Sequence, residues 1–451
     1  MKQIVLAILV TTLLLSNMIW SMPNQEEYLK NWPTWRGPLM TGEVPNGNPP
    51  VKWSETENIR WKIPIPGKGL STPIIWGDKI FLTTAIPSEK KATSEQIDTH
   101  SKGRPMWLRA SGNSTTTDFY QKFVVMAISR KDGQILWEKT VREEYPHEAR
   151  HDDGSWASPS CVTDGNILIA SFGSFGIYGL DLNGNLLWEK DLGTLYISQT
   201  FGEGSSPVLY EDFLIVNWDH EKESFLFVLD KKTGEVIWKK SRETETSWST
   251  PLVVEIKGKP QIVVSATEKS MGYDLKSGEV IWEISGMTGN VIPSPLAMDS
   301  KVFLLSGFRG AAIQAIDLSE AKGNLEGTPA VIWQDDKNTP YVPSALLYQG
   351  NLYYLKGNRE SLTCRDAKTG AIHYTKQDLD GMKDVYASPV AAADRIYIVG
   401  RNGVTFVLKS GAQFEVLAQN ALEDKFDASP AIAGNELYLR GLKYLYCVAG
   451  K

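Results

Sequence analysis

A triplet of small residues ending in proline or alanine recurs eight times along the chain, and no other feature restricts the fold as strongly. It reads STP at Ser71–Pro73, ASP at Ala157–Pro159, SSP at Ser205–Pro207 and STP at Ser249–Pro251. It continues as PSP at Pro293–Pro295, PSA at Pro343–Ala345, ASP at Ala387–Pro389 and ASP at Ala428–Pro430. The third positions are separated by 86, 48, 44, 44, 50, 44 and 41 residues. All but the first step are close to the roughly 40–50 residues of a propeller blade.

Each copy is followed by the same grammar. A turn pair such as Gly77-Asp78, Asp164-Gly165, Gln349-Gly350 or Gly434-Asn435 comes first. These residue types tolerate the positive φ of a tight reversal. A run of β-branched and aromatic residues then reads as a strand, as in KIFLTTA, FLIVNW and RIYIVG. A third strand follows, and a fourth carries a tryptophan: Trp137, Trp188, Trp238, Trp282 and Trp333. Four antiparallel strands make one blade. After Ala428 only three strands remain, and the missing fourth is supplied from the other end by Asn58–Pro66, with Trp61 in the expected place. The sequence therefore predicts an all-β, eight-bladed β-propeller of four-stranded antiparallel blades, its ring closed by an N-terminal strand that completes the last blade. Closure of that kind leaves no open seam between the first and last blades.

Residues 1–21, with Lys2 ahead of an apolar run from Ile4 to Leu15, read as a signal peptide too short for a comfortable membrane span. Residues 22–57 form an N-terminal extension and 58–451 the propeller, with a polar insertion in the first blade at about 86–122. The expectation is an exported, soluble monomer in the periplasm or outside the cell. The leader holds no cysteine for lipid attachment, so a lipoprotein is not expected. A hydrophobic fraction of 42% excludes wholesale disorder. A net charge of −6 without a basic block argues against a nucleic-acid surface. Cys161, Cys364 and Cys447 match neither a disulfide framework nor a zinc spacing and are expected to be free thiols.

The segments Phe227–Trp238 (FVLDKKTGEVIW) and Gly272–Trp282 (GYDLKSGEVIW) carry a family resemblance. They resemble the tryptophan-docking repeat of quinoprotein dehydrogenases, roughly A-x-D-x-x-T-G-x-x-x-W. Ser361–Tyr374 fits with Tyr for Trp, and Tyr178–Trp188 fits one residue shorter. With the opening WPTWRGP at Trp32–Pro38, the chain is similar to secreted PQQ-binding-like β-propeller repeat proteins, relatives of the outer-membrane assembly factor BamB. The resemblance implies the propeller fold and a structural, blade-docking role for Trp61, Trp137, Trp188, Trp238, Trp282 and Trp333. It implies a choice of functions rather than one. The dehydrogenases hold pyrroloquinoline quinone over two adjacent cysteines beside a calcium site of Glu, Asn and Asp. This chain has no adjacent cysteines and no matching acidic cluster, so no cofactor and no metal are expected, with PQQ and calcium as the alternative.

Candidate binding residues fall in three groups. In the linker Tyr145–Trp156, His147, His151, Asp152 and Asp153 offer metal-ligating or acid–base groups. Their spacing matches no tetrahedral site, so a polar inter-blade loop is the reading adopted. Asp219 and His220 follow a second strand and are read as a solvated loop. Residues just ahead of the triplets should enter the innermost strands beside the central channel: Trp156, Glu203, Trp248, Asn290, Tyr341, Tyr386 and Asp427. Arg309 could add an anion contact. A channel lined by Trp and Tyr suits a sugar ring or a peptide segment as well as plain wall packing. The functional expectation is a non-catalytic scaffold for a protein or glycan partner. A BamB-like assembly role and a funnel-based oxidoreductase are the alternatives.

Overall fold

A computed structural model describes residues 25–97 and 114–450. The expected leader and the centre of the first-blade insertion lie outside the described residues. Among the described residues, eight blades of four antiparallel strands follow one another around a ring, one of them extended by a fifth strand. Blade one comprises Ile74–Trp76, Lys79–Lys91, Phe119–Ser129 and Ile135–Glu144. Blade eight comprises Ala431–Ala433, Glu436–Arg440, Tyr444–Ala449 and, as its outer strand, Ile59–Pro64. Trp61 stands opposite Cys447 in that closing pair, as the repeat phase required. Cys161, Cys364 and Cys447 are buried free thiols.

The triplet owes its composition to a ring of hydrogen bonds around the channel. Thr72 N–H donates to Ser160 Oγ at 2.9 Å, Ser160 N–H to Ser206 Oγ at 3.0 Å and Ser206 N–H to Thr250 Oγ1 at 3.1 Å. The series continues through Ser294, Ser344, Ser388 and Ser429 at 2.9–3.0 Å. Each innermost strand is too short to satisfy all its buried amides within its own blade, and a hydroxyl from the next blade supplies the acceptor. Between blades eight and one Thr72 Oγ1 has no partner. There Arg440, itself buried, donates to Ser71 O at 3.1 Å and Thr83 O at 2.8 Å.

The tryptophans fasten the outer rim. The indole N–H groups of Trp61, Trp137, Trp188, Trp238 and Trp333 donate to Arg130, Leu182, Lys231, Leu275 and Ala367 carbonyls of the following blade, at 2.9–3.3 Å. Each ring also covers a turn glycine of that blade, where an added Cβ would fall 2.6–2.9 Å from the indole. The aspartate of the motif makes the turn: Asp230 Oδ1 accepts the amides of Lys232 and Thr233 at 2.8 and 2.9 Å. Gly234 in that turn has φ +71 and its Cβ position is 2.6 Å from Trp188. Gly234→Ala should cost about 2 kcal/mol or more through left-handed strain and overpacking, read as a lower urea midpoint at unchanged slope.

Trp282 departs from the expected inter-blade docking. Its indole donates within its own blade, to Gln261 Oε1 at 3.3 Å, and it is fully buried. Blade five carries an extra loop before its outer strand, and Gly323–Asn324 from that loop pairs in parallel with Trp282–Glu283 as a fifth strand. In blade one, the strands flanking the insertion continue in register through Pro87 opposite Gln121, so the excursion proper is shorter than the 86–122 expected.

Candidate functional site

The N-terminal extension closes one end of the channel. Trp32 exchanges backbone hydrogen bonds with Ile75 of blade one at 3.1 and 2.9 Å, and Pro33 O accepts from Thr163 of blade two. The chain then crosses the ring axis. Fully buried Arg36 donates to Pro389 O at 3.1 Å and Ala345 O at 2.8 Å, the last triplet positions of blades seven and six. Among the described residues it has no carboxylate partner, and burial pulls its pKa down to about 9. Beyond it, Val44 and Gly42 pair with Ala391 of blade seven and Asn48 N–H donates to Gly434 O of blade eight.

Trp35, between those anchors, lines a cavity of about 400 Å³ opening at the other mouth. That size lies within the range of small-ligand pockets. Its walls include Phe201, Trp248, Phe308, Tyr341 and Tyr386, with Glu203, His151, Asp153 and Asp427 as the ionisable groups. Ser206, Thr250, Ser388 and Ser429 of the hydroxyl ring face the same space. Of the residues expected at the channel, Glu203, Trp248, Tyr341, Tyr386 and Asp427 are thus brought together, with His151 and Asp153 from the linker. Trp156 lies beside a smaller cavity with His147, Glu148 and Glu203, its indole donating to Glu148 O at 3.2 Å. Asn290 and Arg309 are outside both linings. Trp35 was not anticipated at the channel, because the extension carries no repeat by which to place it.

One wall is an ion-pair network. Arg401 Nε contacts Asp427 Oδ1 at 2.6 Å, and the same guanidinium binds Asp153. Lys425 Nζ reaches Asp153 Oδ1 at 3.1 Å, and Tyr386 donates to Asp153 Oδ2 at 3.2 Å. The Arg401 and Lys425 cations hold the Asp153 carboxyl well below the usual range against the opposing effect of burial. The blade-one-to-two linker is therefore a polar inter-blade loop strapped to blades seven and eight. Asp152 accepts from Thr115 on that strap. His151 Nδ1 accepts from Asp153 N–H at 3.1 Å, which leaves Nε2 as the donor of the neutral ring.

Glu203 has a different environment. Burial pushes its pKa up from 4.5 to about 8, partly offset by the Ser174 N–H that donates to it at 2.8 Å. Its neighbour Glu148 is pushed up to about 7 by burial. A carboxyl raised in the folded state favours folding when protonated, and that contribution is lost as pH rises through the folded value. The contribution of these two carboxyls should therefore fall between about pH 4.5 and pH 8, and Glu203→Gln should remove its share of that slope. Thermal melts across that window test it.

The Asp219–His220 pair corrects the sequence reading of a solvated loop. Asp219 is buried and bonded to Arg242 Nε at 2.7 Å, to Arg242 Nη2 at 3.2 Å and to Ser247 Oγ at 2.6 Å. His220 is buried too, its ring bonded to Tyr196 N–H and Glu223 O.

The quinone cofactor of the dehydrogenases can be tested against this lining. Pyrroloquinoline quinone is a tricarboxylate, while among the described residues the cavity presents three carboxyl side chains and no Lys or Arg. No group of three or more His, Cys, Asp or Glu suited to a metal occurs among the described residues. Asp153 and Asp427 already spend oxygens on Arg401 and Lys425. The residues do not fit the quinone or its calcium.

A family model described as outer membrane protein assembly factor BamB matches residues 47–195, 121–376 and 222–448. No curated protein sequence matches the chain. Among solved structures, BamB from Moraxella catarrhalis is 11% identical with a TM-score of 0.54, covering 86% of this chain and 98% of that one. A europium-containing methanol dehydrogenase is 11% identical at TM-score 0.61, covering 94% and 92%. The quinohemoprotein alcohol dehydrogenase from Comamonas testosteroni is 9% identical at 0.61, covering 95% and 82%. At such identities these likenesses establish the shared propeller fold, on which binding proteins and enzymes both occur.

Proposed function

The chain belongs to the BamB family of PQQ-repeat propellers, and from that premise we propose that it is an exported, non-catalytic binding scaffold whose funnel receives part of a protein or glycan partner. The observation that carries the reading is the blind funnel. Aromatic side chains from several blades converge on one cavity, Trp35 lies in its lining, and the extension seals the far end. A pocket with one mouth fits capture of a protruding group better than passage through the ring. The test is site-specific photo-crosslinking in the envelope of the native host. A benzoylphenylalanine at Tyr341 should yield a discrete adduct, and one at the exposed turn residue Glu279 should not. Adducts from Glu279 alone would refute the funnel as the docking site.

The family description favours a second reading, in which the captured partner belongs to outer-membrane protein assembly. Loss of the protein should then lower the folded amount of outer-membrane β-barrels. Unchanged barrel levels would leave the scaffold reading without this partner class.

A further inference from the structure

Which chemical group suits the funnel follows from its lining. Among the described residues, six aromatic rings and three carboxyl groups face the cavity, and no Lys, Arg, Asn or Gln does. An anion needs a cation, and among the described residues none lines the cavity. The carboxyl groups could accept from the hydroxyls of a sugar, but a cation is matched by the rings and the carboxyl groups together. The ring hydroxyls Ser206, Thr250, Ser388 and Ser429 already accept backbone N–H groups. One ring of the wall already carries a cation, since the Arg401 guanidinium lies 3.8 Å from the centre of the Tyr386 ring. Asp153 and Asp427 are satisfied by Arg401 and Lys425. Glu203 has no ion-pair partner among the described residues; Ser174 hydrogen-bonds to it, its N–H at 2.8 Å.

We propose that the funnel is a receptor for an organic ammonium group, enclosed by Trp35, Trp248, Phe308 and Tyr341, with Glu203 as its counter-ion. The inference rests on the reading of the funnel as the binding site. Aromatic rings attract a cation through their quadrupole, most strongly where water is excluded. A carboxylate beside them completes the charge. The groups that face Glu203 are Glu148 and His147 on the inner side, with His151, Asp153 and Asp427 across the funnel. Since Glu203 holds its proton to about pH 8, entry of a cation at pH 7 draws that proton off the carboxyl and into solvent. Binding therefore strengthens as pH rises toward 8. The ammonium could be a free quaternary amine or the side chain of a partner's lysine.

The experiment is calorimetric titration of the mature chain with choline, with Nα-acetyl-lysine methylamide and with glucose, each in two buffers of different protonation heat. The expected result is saturable binding of at least one ammonium probe at about 1 mM or tighter, with no heat from glucose. Proton release should appear as a buffer-dependent heat. The tighter of the two ammonium probes identifies the source. Glu203→Gln should abolish the buffer dependence and weaken binding at least tenfold. Phe308→Leu, a milder change than truncating Trp248, should weaken it while the melting curve is kept. Absence of heat from both ammonium probes overturns the proposal, and glucose binding in that case preserves the funnel reading. Unaltered ammonium affinity in Glu203→Gln also overturns it. Should none of the probes bind, the crosslinking at Tyr341 decides separately whether the funnel is the docking site.

Discussion

Asp219→Ala should lower the unfolding free energy by about 3–5 kcal/mol, because it strands a buried guanidinium. The side chains of Asp219 and Arg242 are 0% and 1% exposed. Arg242 also donates to Tyr273 Oη at 2.5 Å, so its position is fixed from the neighbouring blade and it cannot swing out to water. The Asp219 carboxylate, adjacent to the cation, holds Arg242 above its ordinary pKa against the opposing effect of burial. Removal of the aspartate leaves that burial cost without its compensation. The double variant Asp219→Ala with Arg242→Met should recover much of the loss, since a matched pair of apolar groups carries no stranded charge. Denaturant titration of the two variants distinguishes this account from simple cavity formation, in which the double variant would be the less stable. Ammonium binding in the funnel should be unchanged, as neither residue lines it.

That residue also shows where the sequence was legible and where it was not. Blade phase, strand order and the Trp61 closure were readable because a repeat prints the same register eight times. Asp219 was misplaced because its partner lies across a strand pair rather than along the chain: Ser224 opposes Arg242, which brings Arg242 back beside the turn that Asp219 begins. The triplet is legible as a recurring run of small residues that marks each blade. Its middle position is Ser or Thr in all eight copies, and that hydroxyl was the available signal for the inter-blade ring. In blade two the bonding hydroxyl is Ser160, two residues later, while Ser158 pairs with Ser155. Trp282 escaped the rim pattern because an insertion in the next blade covers it, and insertions have no period. The extension was the least legible part. Arg36 meets Pro389 across 353 residues, a contact that no local pattern encodes.

Two tryptophans of that extension, three residues apart, should therefore respond in opposite ways to truncation. Trp32 is 0% exposed, packs on Gly37 and pairs its backbone with Ile75. Trp32→Ala should cost about 3–5 kcal/mol, the usual loss for a large aromatic cut from a tight core. The plug would be loosened where it joins blade one. Trp35 is only half-buried, and its free surface belongs to the funnel. Trp35→Ala removes fewer packed contacts, so its cost should stay below about 2 kcal/mol. It nevertheless takes away the one aromatic group that the extension contributes to the pocket. Ammonium affinity should drop at least tenfold in Trp35→Ala at near-native stability. In Trp32→Ala any binding by the molecules that remain folded should be close to that of the parent chain. Parallel urea and calorimetric titrations resolve the two effects. If both variants lost stability equally and Trp35→Ala bound normally, the extension would be a structural plug and no part of the site. If the predicted split appears, residues 31–44 serve both ends of the channel at once, sealing one mouth and furnishing the pocket that opens at the other.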